Sequence, residues 1–132
     1  MPEARDLYGS VFEQSSAVLL ARVTFADGQA VQQADLASGE YQVMELDPCK
    51  EGEGTVVSGH DGVSLTISDV VYDTLQTDAP WSVDSIGYNF RHEVDVGASH
   101  AFVNAGQEYQ VRYTLNPTSG QPIVFRFLLR AI

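Results

Sequence analysis

Apolar and polar residues alternate along most of this chain, and the period is two. In E-Y-Q-V-R-Y-T-L, Tyr109, Val111, Tyr113 and Leu115 fall on one face of an extended strand while Glu108, Gln110, Arg112 and Thr114 fall on the other. N-P-T-S-G-Q-P follows, where Pro117, Gly120 and Pro122 favour a tight reversal. The next run, I-V-F-R-F-L-L-R-A-I, again alternates, with Ile123, Phe125, Phe127, Leu129 and Ala131 on one side. The two runs predict a C-terminal β-hairpin. Val124 and Leu128 share the far face with Arg126 and Arg130, which predicts that this face is partly covered too.

The same signal recurs upstream. A-V-L-L-A-R-V-T-F predicts a strand from Ala17 to Phe25 closed by the Asp27-Gly28 turn, and E-Y-Q-V-M-E-L-D predicts another ending before Pro48. Residues 48 to 54, P-C-K-E-G-E-G, read as a loop. V-S-L-T-I-S points Val63, Leu65 and Ile67 inward after an H-D-G turn, and Y-N-F-R-H-E-V sets Tyr88, Phe90, His92 and Val94 on one face. The only stretch with helical character, Gln32 to Ser38, is short and runs into Gly39. About seven or eight short strands at this spacing predict an all-β fold, an immunoglobulin-like antiparallel β-sandwich. A closed barrel is the other solution. Residues 1–14 read as an N-terminal arm and 15–132 as a single sandwich domain.

Composition narrows the function classes. A chain of 132 residues with 44% hydrophobic residues can bury one core of its own. Eighteen acidic against seven basic side chains give a net charge of -11, a field that repels phosphate backbones and anionic lipid heads. Neither nucleic acid nor a membrane is expected as a partner. Cys49 is the single cysteine, so no internal disulfide forms. The start, M-P-E-A-R-D, lacks the basic and apolar regions of a signal peptide, which predicts a protein made in the cytoplasm.

Candidate chemistry is sparse. His60, His92 and His100 are the only imidazoles, and none has another His or Cys at a compact zinc spacing. They are expected at the surface or the core edge. S-G-H-D-G holds serine, histidine and aspartate as neighbours, but neighbours in an extended turn point different ways and make no triad. Gly52 and Gly54 are flanked by Glu51 and Glu53, a poor cradle for phosphate. Asp73, Asp78, Asp84 and Asn89 offer hard oxygens for calcium, yet their spacing departs from the calcium loop and Pro80 interrupts it. Trp81 could serve as a sugar platform beside these carboxylates, but its alternation with Val83 places it in the core, with Tyr88 and Phe90. No catalytic residue, metal site or cofactor is therefore assigned. Leu7, Tyr8, Val11 and Phe12 give the arm apolar anchors, which either pack on their own domain or form a subunit interface.

The order of the pieces carries a resemblance. A-V-L-L-A-R-V-T, Q-Q-A-D-L-A-S-G before Y-Q-V, V-V-Y-D-T-L-Q-T-D, W-S-V-D-S-I-G-Y-N-F and Y-Q-V-R-Y-T-L-N-P-T-S-G-Q-P together resemble small immunoglobulin-like structural proteins encoded beside head and tail genes of tailed phages and prophages. The chain is also similar, more loosely, to the first domain of phage baseplate upper proteins. The likeness spans about residues 7 to 130, and V-Y-D-T-L-Q-T-D and G-Y-N-F-R-H are its most specific parts. It implies a virion structural protein without enzymatic activity. Baseplate upper proteins append long modules to this domain, so size favours a head decoration (cement) protein, with a neck, tail or baseplate component as the alternative. The implied partners are the major capsid protein or another virion protein, and further copies of the chain in a homo-oligomer. A carbohydrate-binding or receptor-recognition module using Trp81 is the contrasting expectation.

Overall fold

The alternation becomes two facing sheets in the computed structural model, which describes residues 6–11, 17–25, 28–47, 49, 54–77, 85, 87–94 and 101–132, with the backbone alone for 6–11 and 17. The strands are β1 Asp6–Val11, β2 Ala17–Ala21, β3 Leu36–Leu46, β4 Gly54–Val56, β5 Val63–Ser64, β6 Val71–Gln76, β7 Tyr88–Val94, β8 Glu108–Pro117 and β9 Ile123–Ala131. One sheet runs β1-β9-β8-β3-β4, with β5 also on β3; the other runs β2-β7-β6. The order β2-β7-β6 facing β9-β8-β3 is that of the B-E-D and G-F-C sheets of an immunoglobulin sandwich, and β4 takes the place of C′.

The C-terminal hairpin forms as its period predicts, with Leu115 opposite Ile123 and Tyr109 opposite Leu129. Tyr109, Val111, Tyr113 and Leu115 are fully enclosed, and Ile123, Phe125, Phe127, Leu129 and Ala131 are buried beside them. Side chains of this size contribute about 1.5 to 3 kcal/mol each when removed from water, so the hairpin supplies much of the core. On the outer face of β9, Val124, Arg126 and Leu128 are half-buried and Arg130 is exposed, the partial cover expected there.

Antibody domains tie their sheets with a disulfide whose second cysteine lies two residues after a tyrosine at the start of strand F. Here that tyrosine is Tyr109, and the cysteine position is the fully buried Val111. Cys49 is exposed and free in the β3–β4 loop. Aromatic packing joins the sheets instead: Phe90 of β7 meets Tyr113 edge-on at 4.8 Å and Phe125 at 4.9 Å.

Several details differ from the sequence reading. There are nine strands among the described residues, because β1 joins the sheet and the region after β3 divides into β4 and β5. One pairing is parallel, that of β1 with β9, where Leu7 stands opposite Phe127, Tyr8 opposite Leu128 and Val11 opposite Ala131. The segment expected as an arm thus contributes an edge strand to its own sheet, and Phe12 lies outside the described residues. The V-S-L-T-I-S run is a strand only at Val63–Ser64 and then turns into a single-turn helix, α1 Ile67–Val70. The Asp69 amide donates to the Thr66 carbonyl at 2.9 Å. A turn keeps the expected inward side chains: Val63, Leu65 and Ile67 all pack on the core, and Val70, one turn after Ile67, is buried. Gln33–Asp35, inside the stretch with helical character, forms a 3-10 turn.

Candidate functional site

The chemistry-bearing side chains gather where the two sheets face each other. β3 carries Tyr41 and β8 carries Tyr113 on the inner face of the larger sheet, paired directly across the ladder. β7, the central strand of the smaller sheet, brings the half-buried His92 to the same place, on the face that carries the buried Phe90 and Val94. The fourth member, His60, comes from the connection between β4 and β5. That connection lies along β3: the Val43 amide donates to the His60 carbonyl at 2.8 Å, and the Val57 amide donates to the Val43 carbonyl at 2.9 Å.

Two hydrogen bonds close the cluster. The Tyr41 hydroxyl lies 2.8 Å from His60 Nδ1, and the Tyr113 hydroxyl lies 2.7 Å from His92 Nδ1. The Tyr41 ring sits 4.9 Å from the His92 ring and 5.8 Å from that of His60, so it stands between the two imidazoles. Only 3% of His60 is exposed. Its burial corrects the expectation of a surface or core-edge histidine. The turn at S-G-H-D-G forms as predicted, but the backbone bonds to β3 roll its histidine inward onto Tyr41. His92 takes the core face its alternation predicts, and His100 lies outside the described residues.

Burial sets the protonation chemistry here. Loss of solvation pushes the His92 imidazole down to about 4, and the positive charge that His60 can carry acts in the same direction. The Tyr113 phenol is pushed well above its ordinary value, by burial first and by Tyr41 second. Both residues are held in their neutral forms at pH 7. The cluster is suited to joining strands, because its Nδ1 atoms and hydroxyls already bond to each other.

Of the oxygen donors considered for calcium, Asp73 and Asn89 lie among the described residues. Asp73 accepts the Gln33 amide on its carboxylate at 2.8 Å, while the Asp73 and Val71 carbonyls accept the side-chain amides of Gln32 and Gln33 at 3.2 and 2.8 Å. Among the described residues β6 is the last strand of its sheet, and these bonds cover its outer edge, a device that discourages strand addition. Asn89 is 1% exposed and bonds the backbone at Val23 and Val31. Two of the four oxygen donors considered for calcium are thus engaged in holding the fold. Asp78, Trp81 and Asp84 lie outside the described residues, whereas Tyr88 and Phe90 are buried as expected. Among the described residues, no group of three His, Cys, Asp or Glu could hold a metal ion.

A third polar knot lies at the end of the sandwich where β8 begins. The Asn104 amide donates to the Tyr109 hydroxyl at 2.8 Å, and that hydroxyl donates to Glu45 at 3.1 Å. A tyrosine on this strand bonding backbone a few residues upstream is the tyrosine corner of immunoglobulin-like sandwiches. Sequence reasoning places Tyr109 in the core but misses its hydroxyl's partners, although the position of a tyrosine at the start of the penultimate strand is a usable signal. It also misses the meeting of His60 with Tyr41, which no local spacing encodes.

Compared with known proteins, the chain matches no protein-family model, no curated protein and no solved structure.

Proposed function

We propose that this chain acts by docking and not by catalysis, as a structural protein of a virion that decorates the head of a tailed phage. The observation that carries this reading is where the reactive side chains go: His60, His92, Tyr41 and Tyr113 bond to one another between the sheets. The chain as a whole carries a net charge of -11. Such a net charge favours solubility and suits a partner that offers cationic or neutral contacts. A lattice multiplies a modest contact, so weak binding by one copy is enough to retain many.

The phage assignment rests on the resemblance in V-Y-D-T-L-Q-T-D and G-Y-N-F-R-H, together with the immunoglobulin order of the strands. Sedimentation of the purified protein with separated empty heads and tails tests it. Binding to heads supports decoration, and binding to tails alone transfers the role to a neck, tail or baseplate component. Binding to neither overturns the virion reading.

A further inference from the structure

We infer that the paired histidines and tyrosines form an acid-sensitive clasp between the sheets, closed at neutral pH and loosened when His92 takes up a proton. The His92–Tyr113 bond crosses from β7 to β8, so it is a direct polar link between the two layers. β7 lies between β2 and β6, and a change in its hold on β8 therefore acts on the whole smaller sheet.

A neutral imidazole offers Nδ1 as an acceptor for the Tyr113 hydroxyl proton. An imidazolium carries a hydrogen on Nδ1, so the bond persists only reversed, with Nδ1 donating to the Tyr113 oxygen while the hydroxyl hydrogen turns toward the neighbouring rings and a charge sits in the half-buried cluster. His92 is half-buried, and the described side chains packed around it are mostly rings. From β3 comes the Tyr41 ring, 4.9 Å from His92; from β8 comes Tyr113; from the β4–β5 connection comes His60, already bonded to Tyr41. β9 supplies Phe125 and Phe127 against Tyr113, and β2 supplies the buried Leu19 opposite His92. On β7 the charged neighbours Arg91 and Glu93 alternate to the outer face, as Arg112 does on β8. Asp61, next to His60, is exposed and accepts from Gln42 at 2.9 Å. Among the described residues, the titratable groups facing His92 are thus two phenols and an imidazole, and a proton on His60 would oppose one on His92.

The direction of the pH effect follows. A histidine whose folded pKa lies below its unfolded value binds more protons unfolded, so its contribution is complete above about 6.5 and is lost as the pH falls toward about 4. Carboxylates titrate in the lower part of this window, so a comparison between variants isolates the clasp.

The test is urea denaturation of the wild type and of His92→Phe from pH 7.5 to 4.5, with an NMR titration of the wild-type histidines. His92→Phe keeps a ring and removes the titrating nitrogens. Between pH 7 and 5 the wild-type folding constant is expected to fall roughly tenfold further than that of the variant, with the His92 resonances still those of the neutral ring at pH 5. Parallel pH curves for the two proteins, or a His92 titration near 6.5 in the folded state, would overturn the clasp. If His92→Phe does not fold, the wild-type NMR titration decides alone.

Discussion

Asn89 Oδ1 accepts the Val23 amide at 2.7 Å, and Asn89 Nδ2 returns a bond to the Val23 carbonyl at 2.8 Å. The side chain copies the two-bond exchange of a strand pair just where the β2–β7 ladder stops at Ala21 and Phe90. Its second donor bond, to the Val31 carbonyl at 3.0 Å, gathers the returning chain, whose Val31 amide in turn donates to Val23 at 3.0 Å. Asn89→Leu would leave the buried Val23 amide without this acceptor, at about 1 to 3 kcal/mol for one orphaned group. Asn89→Asp would lose both donor bonds and add a charge. Urea midpoints should fall for both, with Asn89→Asp hit harder at pH 7 than at pH 4.5, where its carboxyl can be protonated.

Gly87, the residue before β7, has a φ of +104°, a conformation that costs a side chain. A methyl group there would also run into the Gln76 carbonyl of β6, leaving backbone no room to yield. Gly87→Ala should therefore lower stability by about 2 kcal/mol or more, combining left-handed strain with a clash. Its urea midpoint should fall well below that of Gly28→Ala, since Gly28 has a φ of +88° but open space around its Cα. Equal losses at the two positions would show that the β6 contact adds nothing.

Tyr109→Phe removes only the hydroxyl that accepts from Asn104 and donates to Glu45. The ring, fully buried and edge-on to Phe102 at 5.5 Å, stays. The expected loss is about 1 to 2 kcal/mol, that of a partly buried hydrogen-bond network. Amide hydrogen exchange should localise it: the Asn104 amide should exchange faster, while amides of the β8–β9 ladder keep their relative order.

The strands and their inward faces were legible because burial on one side of a sheet writes itself into alternate residues. Tyr109 to Leu115 and Ile123 to Ala131 show this most clearly. Edges and turns were less so. α1 hides behind Val63, Leu65 and Ile67 because one short turn after two strand residues preserves nearly the same inward spacing. The parallel place of β1 depends on β9, a partner more than a hundred residues away in sequence. His60 shows the limit for the site: its turn was readable from Gly59 and Gly62, but its inward roll is set by backbone bonds to Val43 on another strand. The resemblance bears on function and contributes no residue to any of these placements.

Pairing of β1 with β9 alters what removing the N-terminus does. Six residues from Asp6 to Val11 are in parallel register with Arg126 to Ala131, so deleting residues 1–11 bares the edge of β9. An uncovered edge in the C-terminal hairpin is a template for another chain. The truncated protein should unfold at lower urea concentration and form larger species that grow with concentration in sedimentation velocity. A lone subunit interface at Leu7, Tyr8 and Val11 predicts the opposite result: smaller species with an unchanged urea midpoint. Changing Leu7 and Val11 singly to Thr retains the backbone pairing and separates the two roles. If these side chains join subunits, the substitutions alone should shrink the assembly.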